Sequence, residues 1–496
     1  MPRSTRVWQH ARVLSVPPER ASMSPTNGFD RFFQITERGS TLSREIRGGF
    51  VTFFTMAYIV VLNPLILAGG ADQKGAHLPL AALAAGTALV AGVMTILMGV
   101  VARFPLALAA GLGVNALVAY EIAPQMTWAD AMGLVVIEGV LIGILVLTGL
   151  RTAVFRAVPT QLKTAIGVGI GLFLMIIGLV DSGFVHRVPD ASNTTVPVEL
   201  GLGGKLLTWP TLVFAIGLLF TLVLFVRKIK GAILIGILGT TVLAIVVEAI
   251  TGVGSVVTNP HGWSLNVPRM PEKVVDTPDL SLLGHFNVLG SWQHAGWLVA
   301  LMFVFTLLVA DFFDTMGTMV AVGQEGELLD DEGMPPRTRE ILLVDSIAAA
   351  AGGAASVSSN TSFVESASGV GEGARTGVAN LVTGGLFLLA MFFAPLVQVV
   401  PFEAASTALV VVGFLMMTAV RQIDWSDWTL AVPAFLTITL MPFTYSISNG
   451  IGAGIISYVV LKASTGKARE IHPILYGVAA LFVLYFARGP LETWVL

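Results

Sequence analysis

Cysteine is absent from this 496-residue sequence, and only 12% of its residues are charged. The absence of cysteine excludes disulfides, thiolate metal sites and a cysteine nucleophile. The seven histidines are scattered without the close pairs of a metal site, so no metal site is predicted. The net charge of −3 provides no basic surface for nucleic acid. No Walker motif or kinase signature occurs, and we expect neither a cofactor nor an enzymatic activity.

Apolar residues are correspondingly abundant, at 55% of the chain with a mean hydropathy of +0.82. Soluble domains are about 25% charged, roughly twice the fraction found here. A single membrane anchor cannot produce this average over the whole length. Most of the chain must therefore lie in lipid or against other lipid-embedded helices. The composition predicts an all-α polytopic membrane protein, a multi-pass protein of the cell membrane.

Apolar runs long enough to cross a bilayer recur along the chain. Two shorter segments, 108–122 and 360–373, are rich in Gly, Ser and Asn, and they count as segments 3 and 10 of fourteen. The run 471–488 is predicted to lie against the membrane, and residues 1–28 to form a disordered tail. The ordinary spans are predicted at 48–68, 79–102, 130–150, 161–181, 210–226, 231–251, 296–322, 341–357, 376–398, 402–420, 428–444 and 447–463.

Basic residues predict the orientation of these segments, because cytoplasmic loops are enriched in Lys and Arg. Arginine precedes the first segment, as at Arg44 and Arg47, and basic residues follow the fourth, where Lys163 is counted with the loop. The sixth, eighth, tenth, twelfth and fourteenth segments are also followed by Arg or Lys. The opposite loops, such as 182–209 and 252–295, are longer and poorer in basic residues. This pattern predicts a cytoplasmic N-terminus.

Seven segments followed by seven more would place equivalent helices in opposite orientations, which is typical of inverted repeats in secondary transporters. Residues 50–55 resemble residues 309–314, and both stretches lie in the first segment of a half. Residues 114–116 resemble residues 364–366 in the third segment of each half. The fourteen segments are therefore predicted to form two inverted seven-segment repeats.

Segments 3 and 10 are predicted to be interrupted within the membrane. The stretches 109–113 and 356–362 consist mainly of small residues, which let a backbone straighten and approach another chain segment. Irregular backbone at membrane depth must line a cavity or be buried in protein. We expect a ligand near the midplane at these interruptions, while a close-packed helix interface of small residues is the alternative interpretation.

Polar residues inside the predicted spans are few, and the clearest are Asp311, Asp314 and Glu365, with Asn115 as a neutral partner. A carboxylate at the bilayer centre costs about 2.5–3.5 kcal/mol on insertion scales, so it requires a partner, a proton or a function. Asp311 and Asp314 are three residues apart and share one helical face. Two such carboxylates do not both stay ionised easily at low dielectric. Asp311, Asp314 and Glu365 are therefore predicted to couple transport to protons.

The same residues suit the recognition of a purine base. Glu365 can accept hydrogen bonds from ring N–H groups, and Asn115 can both donate and accept along a purine edge. Phe363 and Phe312 offer flat surfaces for stacking, with plain packing as the alternative. Helix capping or a salt bridge for Glu365, and a structural contact between helices for Asn115, are also alternatives. The predicted substrate site comprises Asn115, Asp311, Glu365, Phe363, Val364, Phe312 and Thr52.

Five stretches in order resemble the AzgA-like branch of the nucleobase:cation symporter 2 family. The resemblance extends from about residue 29 to about residue 488. Each stretch alone is a weak signal, whereas the ordered set is specific. The stretches are residues 29–33, 48–64, 111–116, 311–318 and 360–370.

The resemblance implies a fourteen-helix fold in which short antiparallel strands from segments 3 and 10 meet at the substrate site. It implies uptake of adenine, guanine or hypoxanthine with protons, a homodimer formed through the gate domain, and key polar positions at Asn115, Asp311 and Glu365. The regions it implies are a core domain at 48–150 and 296–398, a gate domain at 161–251 and 402–463, an extracytoplasmic loop at 252–295, and a C-terminal segment with an extra apolar helix at 464–496.

The sequence thus predicts a proton-coupled purine transporter that works by alternating access. A transporter of the same fold for another substrate, either xanthine and uracil or an inorganic anion, is the alternative. An anion site would require a buried cation near the broken segments, whereas Arg103 and Arg375 lie at predicted loop positions. A membrane enzyme or receptor has no nucleophile–base pair or large soluble domain in its favour.

Overall fold

The structure is a computed structural model that describes residues 27–149, 158–187, 198–271, 273–330 and 334–495. The side chains at position 313 and from position 488 onward are outside this description. The predicted tail 1–28 lies outside the described residues except for its last two, of which Asn27 caps a short helix that begins at Gly28.

Helices form at all twelve ordinary spans predicted from the sequence, with ends that differ by a few residues. The helices, in chain order, are α1 (Gly28–Phe33), α2 (Leu42–Met56), α3 (Ile59–Gly69), α4 (Leu80–Val101), α5 (Leu112–Leu117), α6 (Trp128–Thr148), α7 (Thr160–Asp181), α8 (Trp209–Val226), α9 (Ala232–Thr251), α10 (Gly290–His294), α11 (Trp297–Glu325), α12 (Thr338–Ala354), α13 (Ser366–Gly371), α14 (Val378–Ala390), α15 (Ala394–Val397), α16 (Phe402–Met417), α17 (Trp428–Thr444), α18 (Ile447–Ser464) and α19 (Pro473–Val495). The strands are β1 (Leu108–Ala110), β2 (Val185–Arg187), β3 (Val198–Leu200) and β4 (Asn360–Ser362). Within the described ranges, nine helical stretches are long and apolar enough to cross a membrane.

Local sequence sets several helix ends. The side chain of Thr127 accepts from the backbone N–H of Asp130 at the start of α6, and Ser446 accepts from the N–H of Asn449 at the start of α18. Gly149 ends α6 with φ 73°, a left-handed conformation that glycine adopts without steric cost. These caps satisfy backbone groups that the helix itself leaves unpaired.

The first predicted span, 48–68, is two helices rather than one. α2 ends at Met56 and α3 begins at Ile59, with Tyr58 in the joint. Beyond the joint, the N–H groups of Val60 and Val61 bond three residues back rather than four. Pro64 in the following turn has no N–H to donate, which removes a further helical bond. The joint places the Tyr58 side chain at the centre of the molecule, where it is 1% exposed.

Segments 3 and 10 meet as antiparallel strands, as the family resemblance implies. Leu108 pairs with Ser362, Ala109 with Thr361 and Ala110 with Asn360. The N–H of Phe363 donates to the carbonyl of Ala107 at 2.9 Å, and the N–H of Gly111 donates to the carbonyl of Ser359 at 2.9 Å, which extends the ladder at both ends. Inside lipid these backbone groups must find partners within the protein, and each strand supplies them for the other.

The chain before β4 is strained. Ser356 and Ser358 have φ values of 58° and 70°, in the left-handed region that disfavours residues other than glycine. Such a conformation costs about 1–3 kcal/mol per residue and persists where the surroundings enforce it. The strain turns the chain sharply from α12 into β4, so that the end of α12 and the strand lie side by side.

The helices pack in two groups, and the interruptions lie in the first. One group contains α2–α6 and α11–α14, in which α4 packs on α14 and α6 on α12. The other contains α7, α8, α9, α16, α17 and α18, in which α7 packs on α16 and α17. Helix α19 packs on α18 and α11, and Phe482 of α19 is fully buried beside Phe305 of α11 with ring centroids 5.8 Å apart. The placement of residues 471–488 against the membrane stays a prediction.

Candidate functional site

A cavity of about 230 Å³ lies where the interruptions of segments 3 and 10 face the second helix group. A smaller cavity of about 100 Å³ adjoins it and shares part of its lining. The residues common to both are Gly111, Gly113, Asp314, Thr318, Val364 and Met416. The smaller cavity is also lined by Tyr58, Leu112, Ser362, Phe363, Glu365 and Val412.

Glu365 lies between the end of β4 and the start of α13, and its carboxylate faces the smaller cavity. The hydroxyl of Tyr58 donates to Glu365 Oε1 at 2.6 Å. Hydrogen bonds to an ionised acceptor are shorter and stronger than neutral ones. This bond fixes the carboxylate of segment 10 against the joint between α2 and α3. The sequence analysis did not include Tyr58 in the site, although it lies within one of the stretches that carried the family resemblance.

The two aspartates of α11 face different surroundings. Asp314 is exposed and lines both cavities, together with Thr318 one turn further along. Asp311 is 0% exposed and does not line either cavity, although its neighbour Ala310 lines the larger one. A separation of three residues along a helix therefore directs one carboxylate into the cavity and the other behind its wall.

Asn115 and Asp311 are buried without partners. Asn115 is 0% exposed on α5, and neither its amide nitrogen nor its amide oxygen has a hydrogen-bond partner in the described part of the chain. Both carboxylate oxygens of Asp311 are in the same condition. A buried polar group that lacks a partner is costly, so these two side chains need a further donor or acceptor.

The remaining predicted site residues divide between the cavity and the packed interior. Val364 is 52% exposed and lines both cavities, and Phe363 is buried in the wall of the smaller one. Phe312 is 1% exposed and lies outside the lining of both cavities. Thr52 is also outside the lining, because it packs where α2 approaches Gly369 of α13.

Asp345 of α12 lies behind β4 and has hydroxyl partners. Thr315 donates to Asp345 Oδ2 at 2.7 Å, and Ser362 donates to Oδ1 at 2.8 Å. The hydroxyl of Thr315 also lies 2.9 Å from that of Thr361. These bonds tie α11, α12 and β4 together immediately behind the cavity wall.

Lys163 is a cation that the sequence analysis assigned to a loop. It lies within the first turn of α7 and lines the larger cavity with Asp314. The run of basic residues before α7 obscured this position, because charge counting alone does not show where a helix begins. The cavity therefore contains carboxylates from the first helix group and an ammonium group from the second.

The two helix groups are in direct contact beyond the cavity, near the other end of α7. Tyr120 donates to Asp181 Oδ2 at 3.2 Å, and Asp181 is the last residue of α7. Glu121 accepts from the hydroxyl of Ser446 at 2.7 Å and from the N–H of Ile447 at 2.9 Å. Its carboxylate thus caps α18 across the interface, which is a favourable position for a negative charge. The sequence analysis assigned no role to Glu121.

The groups at this site are suited to binding a small molecule. Carboxylate, phenol, ammonium and aromatic groups line a partly apolar cavity, as is typical of small-molecule sites. Within the described ranges, no three His, Asp or Glu side chains are arranged to hold a metal ion.

Comparison with known proteins places residues 43–453 within a family described as a permease family. The guanine/hypoxanthine permease PbuG of Bacillus subtilis is 37% identical over 460 residues, covering 92% of this chain and 98% of the relative. The adenine permease AdeP of Escherichia coli is 35% identical over 459 residues, covering 92% of this chain and 95% of the relative. Both alignments include the cavity-lining segments described above.

Solved structures share the fold at low sequence identity. The transmembrane domain of the cyanobacterial bicarbonate transporter BicA matches with a TM-score of 0.55 and 17% identity, covering 84% of this chain and 97% of that one. The murine anion transporter Slc26a9 in its inward-facing state matches with a TM-score of 0.56 and 12% identity, covering 94% and 77% respectively. These similarities show that this chain has the same fold as the two transporters.

Proposed function

Because this chain belongs to the nucleobase:cation symporter 2 family of permeases, we propose that it carries purine bases across the cell membrane together with protons. Relatives that align over more than nine tenths of this chain are named for adenine or for guanine and hypoxanthine. Their names support this substrate class without choosing among the three bases.

The single observation that carries the proposal is the Tyr58–Glu365 pair in a cavity between two interrupted segments. Tyr58 occupies Oε1 of the carboxylate, so Oε2 can accept from a ring N–H of the base. A purine presents donors and acceptors along its edges, which suits a carboxylate fixed in one orientation. The hydrogen bond from Tyr58 limits the rotation of the carboxylate, and so reduces the entropy cost of binding.

The faces of the base are proposed to contact apolar and glycine-rich walls. Phe363 and Val364 lie on one side of the cavity, and Ile166 and Ile170 of α7 on the other. A flat heterocycle gains apolar burial between such surfaces. Because Gly111 has no side chain, the backbone of segment 3 can approach the ring edge closely.

Proton coupling is proposed to use Asp311, Asp314 and Glu365, as predicted from the sequence. Binding a proton at these carboxylates removes charge from a low-dielectric site, so the protonated form crosses the membrane at lower cost. One elementary charge moved through 100 mV is worth about 2.3 kcal/mol, enough for roughly fifty-fold accumulation per proton. Asn115 is proposed to complete the substrate site when a ligand supplies its missing partner.

Transport is proposed to follow alternating access between a core at 48–150 and 296–398 and a gate at 161–251 and 402–463. The cavity faces the first turn of α7, while Tyr120 and Glu121 close the interface near its last residue. With the N-terminus in the cytoplasm, this arrangement is inward-facing. Opening outward would require these contacts to break and the cavity end to close. The two halves are proposed to be inverted repeats, with 252–295 as the extracytoplasmic loop.

A homodimer through the gate is proposed from the family resemblance and from exposed apolar side chains on two gate helices. Leu219 and Val226 of α8 are 65% and 75% exposed, and Val242 of α9 is 61% exposed. Such side chains contact either lipid or a partner chain. The C-terminal segment 464–496 is proposed as an addition to the fourteen-segment fold.

Transport of an inorganic anion is the second candidate, because Lys163 places a cation in the cavity wall. The sequence analysis gave little weight to this alternative because it found no such cation near the broken segments. The carboxylates Asp314 and Glu365 in the same wall oppose an anion, and they favour the purine. The test is uptake by cells that lack their own base transporters, with adenine, guanine, hypoxanthine, xanthine, uracil and bicarbonate as competitors. Inhibition by adenine, guanine or hypoxanthine, and not by bicarbonate, is expected. Inhibition by bicarbonate alone would favour the anion.

A further inference from the structure

Glu138 lies near the middle of α6, away from both cavities, and is 0% exposed. The sequence analysis assigned no role to Glu138. Neither of its carboxylate oxygens has a hydrogen-bond partner in the part of the chain that the structure describes. An ionised carboxylate that is buried without a partner is costly.

Every charged group that acts on Glu138 is itself acidic. Asp311 lies beside it on α11, which packs on α6, and Asp345 approaches from α12. The charged groups around Asp311 are likewise Glu138, Asp345 and Asp314. At the distant start of α6, His294 pairs with Asp130 at 2.8 Å and does not reach this cluster. No ion pair therefore compensates Glu138 or Asp311 within the described ranges.

A hydroxyl group points to the same place. Ser359, in the chain just before β4, lies beside Glu138 and is 0% exposed. Its hydroxyl oxygen has no hydrogen-bond partner among the described residues. It can donate to a carboxylate or accept from a protonated carboxyl group. A group able to do both, held beside two unpaired carboxyls, suits a site whose protonation state changes.

Two ionised carboxylates cannot bond to each other, since neither has a donor. A single proton supplies the donor and converts two unpaired groups into one charge-assisted hydrogen bond. It also leaves one negative charge where there would be two, which relieves the repulsion between them. The pair therefore binds one proton more tightly than either carboxyl group would alone.

We propose that Glu138 and Asp311 share one proton and together form the proton site that is coupled to transport. This rests on the proposed symport and adds a residue to it. Both carboxyls belong to the first helix group, one turn of α11 from the cavity residue Asp314. The proton therefore moves with the same rigid body as the base. Asp311 is the shared member that connects the pair to the cavity wall.

Glu138→Gln tests the pair with little change in shape. Its amide N–H₂ is a permanent donor to Asp311, so the variant imitates the protonated state and retains the fold. In proteoliposomes, exchange of unlabelled for labelled hypoxanthine, adenine or guanine is expected to stay within about threefold of the unmodified protein. Accumulation driven by a proton gradient, and proton uptake triggered by the base, are expected to fall at least tenfold. The control Glu248→Gln changes a buried glutamate of α9 that accepts from Trp263 and lies outside the cluster.

Infrared spectroscopy separates this proposal from the proposed function, because it requires no transport. At neutral pH the unmodified protein is expected to show a C=O stretch of a protonated carboxyl that is lost or shifted in both Glu138→Gln and Asp311→Asn. If this infrared result is obtained but no purine is taken up, the proposed function is rejected and the proposal of a shared proton is retained. An unchanged band together with unchanged coupling in Glu138→Gln would overturn the proposal. Uptake that depends on sodium in place of protons would also overturn it.

Discussion

The phenolic oxygen of Tyr58 lies 2.6 Å from Oε1 of Glu365, although the two residues are 307 positions apart in the chain. This bond joins the break in the first span to the break in segment 10. Both breaks are needed for this bond, because a continuous helix through Met56 and Ile59 would place the Tyr58 side chain elsewhere. The proposed substrate site is therefore built where helices stop, rather than along their faces.

Tyr58→Phe should weaken substrate binding without disrupting the fold. The substitution frees the carboxylate to rotate, and ordering it again on binding costs about 0.5–1.5 kcal/mol, or roughly 2- to 13-fold in affinity. The measurement is the KM for uptake of each base and the Kd of the purified protein. Tyr476→Phe is the control. Tyr476 lies on α19 outside the cavity lining, and its hydroxyl donates to the carbonyl of Ala468. Equal KM values for Tyr58→Phe and the unmodified protein would remove Tyr58 from the site.

Glu365→Ala should abolish purine uptake while the protein still reaches the membrane, because the base loses its fixed acceptor. Glu365→Gln should retain some binding but lose selectivity, since its amide presents a donor as well as an acceptor. Labelled uptake and membrane content are measured in the same cells. Glu340→Gln, at the exposed start of α12, is the matched control. Normal uptake by Glu365→Ala would contradict the assigned role.

Asp311→Asn should remove the dependence of uptake on external pH. In the unmodified protein, a lower external pH supplies the proton and should raise uptake; an asparagine holds no proton, so the profile should be flat. Initial rates are measured at several external pH values with the internal pH clamped. Asp279→Asn, in the exposed loop before α10, should keep the original profile. A pH dependence that survives in Asp311→Asn would locate the proton site elsewhere.

Glu121→Gln should shift the protein away from the inward-facing state. The carboxylate caps α18 through Ser446 and Ile447, and the amide can satisfy only part of that arrangement. The chain has no cysteine, so a single reporter requires no background substitutions. Gly167→Cys introduces one in the cavity wall, where a side chain meets open space.

The reporter is labelled from the cytoplasmic side with an impermeant thiol reagent in inside-out vesicles. Loss of one charge-assisted bond should reduce the labelling rate about fivefold or more. Glu248→Gln, within the gate alone, should leave the rate unchanged. Faster labelling in Glu121→Gln would show that these contacts do not close the outer side.

The fold was largely predictable from the sequence because its main signals are local. Long apolar runs, Gly and Pro at helix ends, and small residues at positions 109–113 and 356–362 locate the spans and interruptions. The pairing of β1 with β4 followed only from the family resemblance, and its register was not predicted, since strands of three residues carry almost no periodic signal.

The site was only partly predictable, because side-chain direction depends on tertiary packing. Of the predicted substrate-site residues, Glu365, Phe363 and Val364 line the cavities. The others lie outside the cavity lining, namely Asn115, Asp311, Phe312 and Thr52. Tyr58 and Lys163 were missed. The position of the Tyr58 side chain depends on a helix break within an apolar run that the sequence analysis predicted as one continuous span. Lys163 lies within the predicted span 161–181, but it was counted only with the basic residues that indicate the cytoplasmic side.

The central claim is that this chain accumulates purine bases at the expense of a proton gradient. Purified protein in proteoliposomes, with an inward proton gradient and labelled adenine, guanine or hypoxanthine outside, tests it most directly. We predict accumulation of at least one base above its external concentration, collapse on addition of a protonophore, and alkalinisation of the external medium as base enters. Uptake that ignores the proton gradient, or transport of bicarbonate with no purine uptake, would contradict the account.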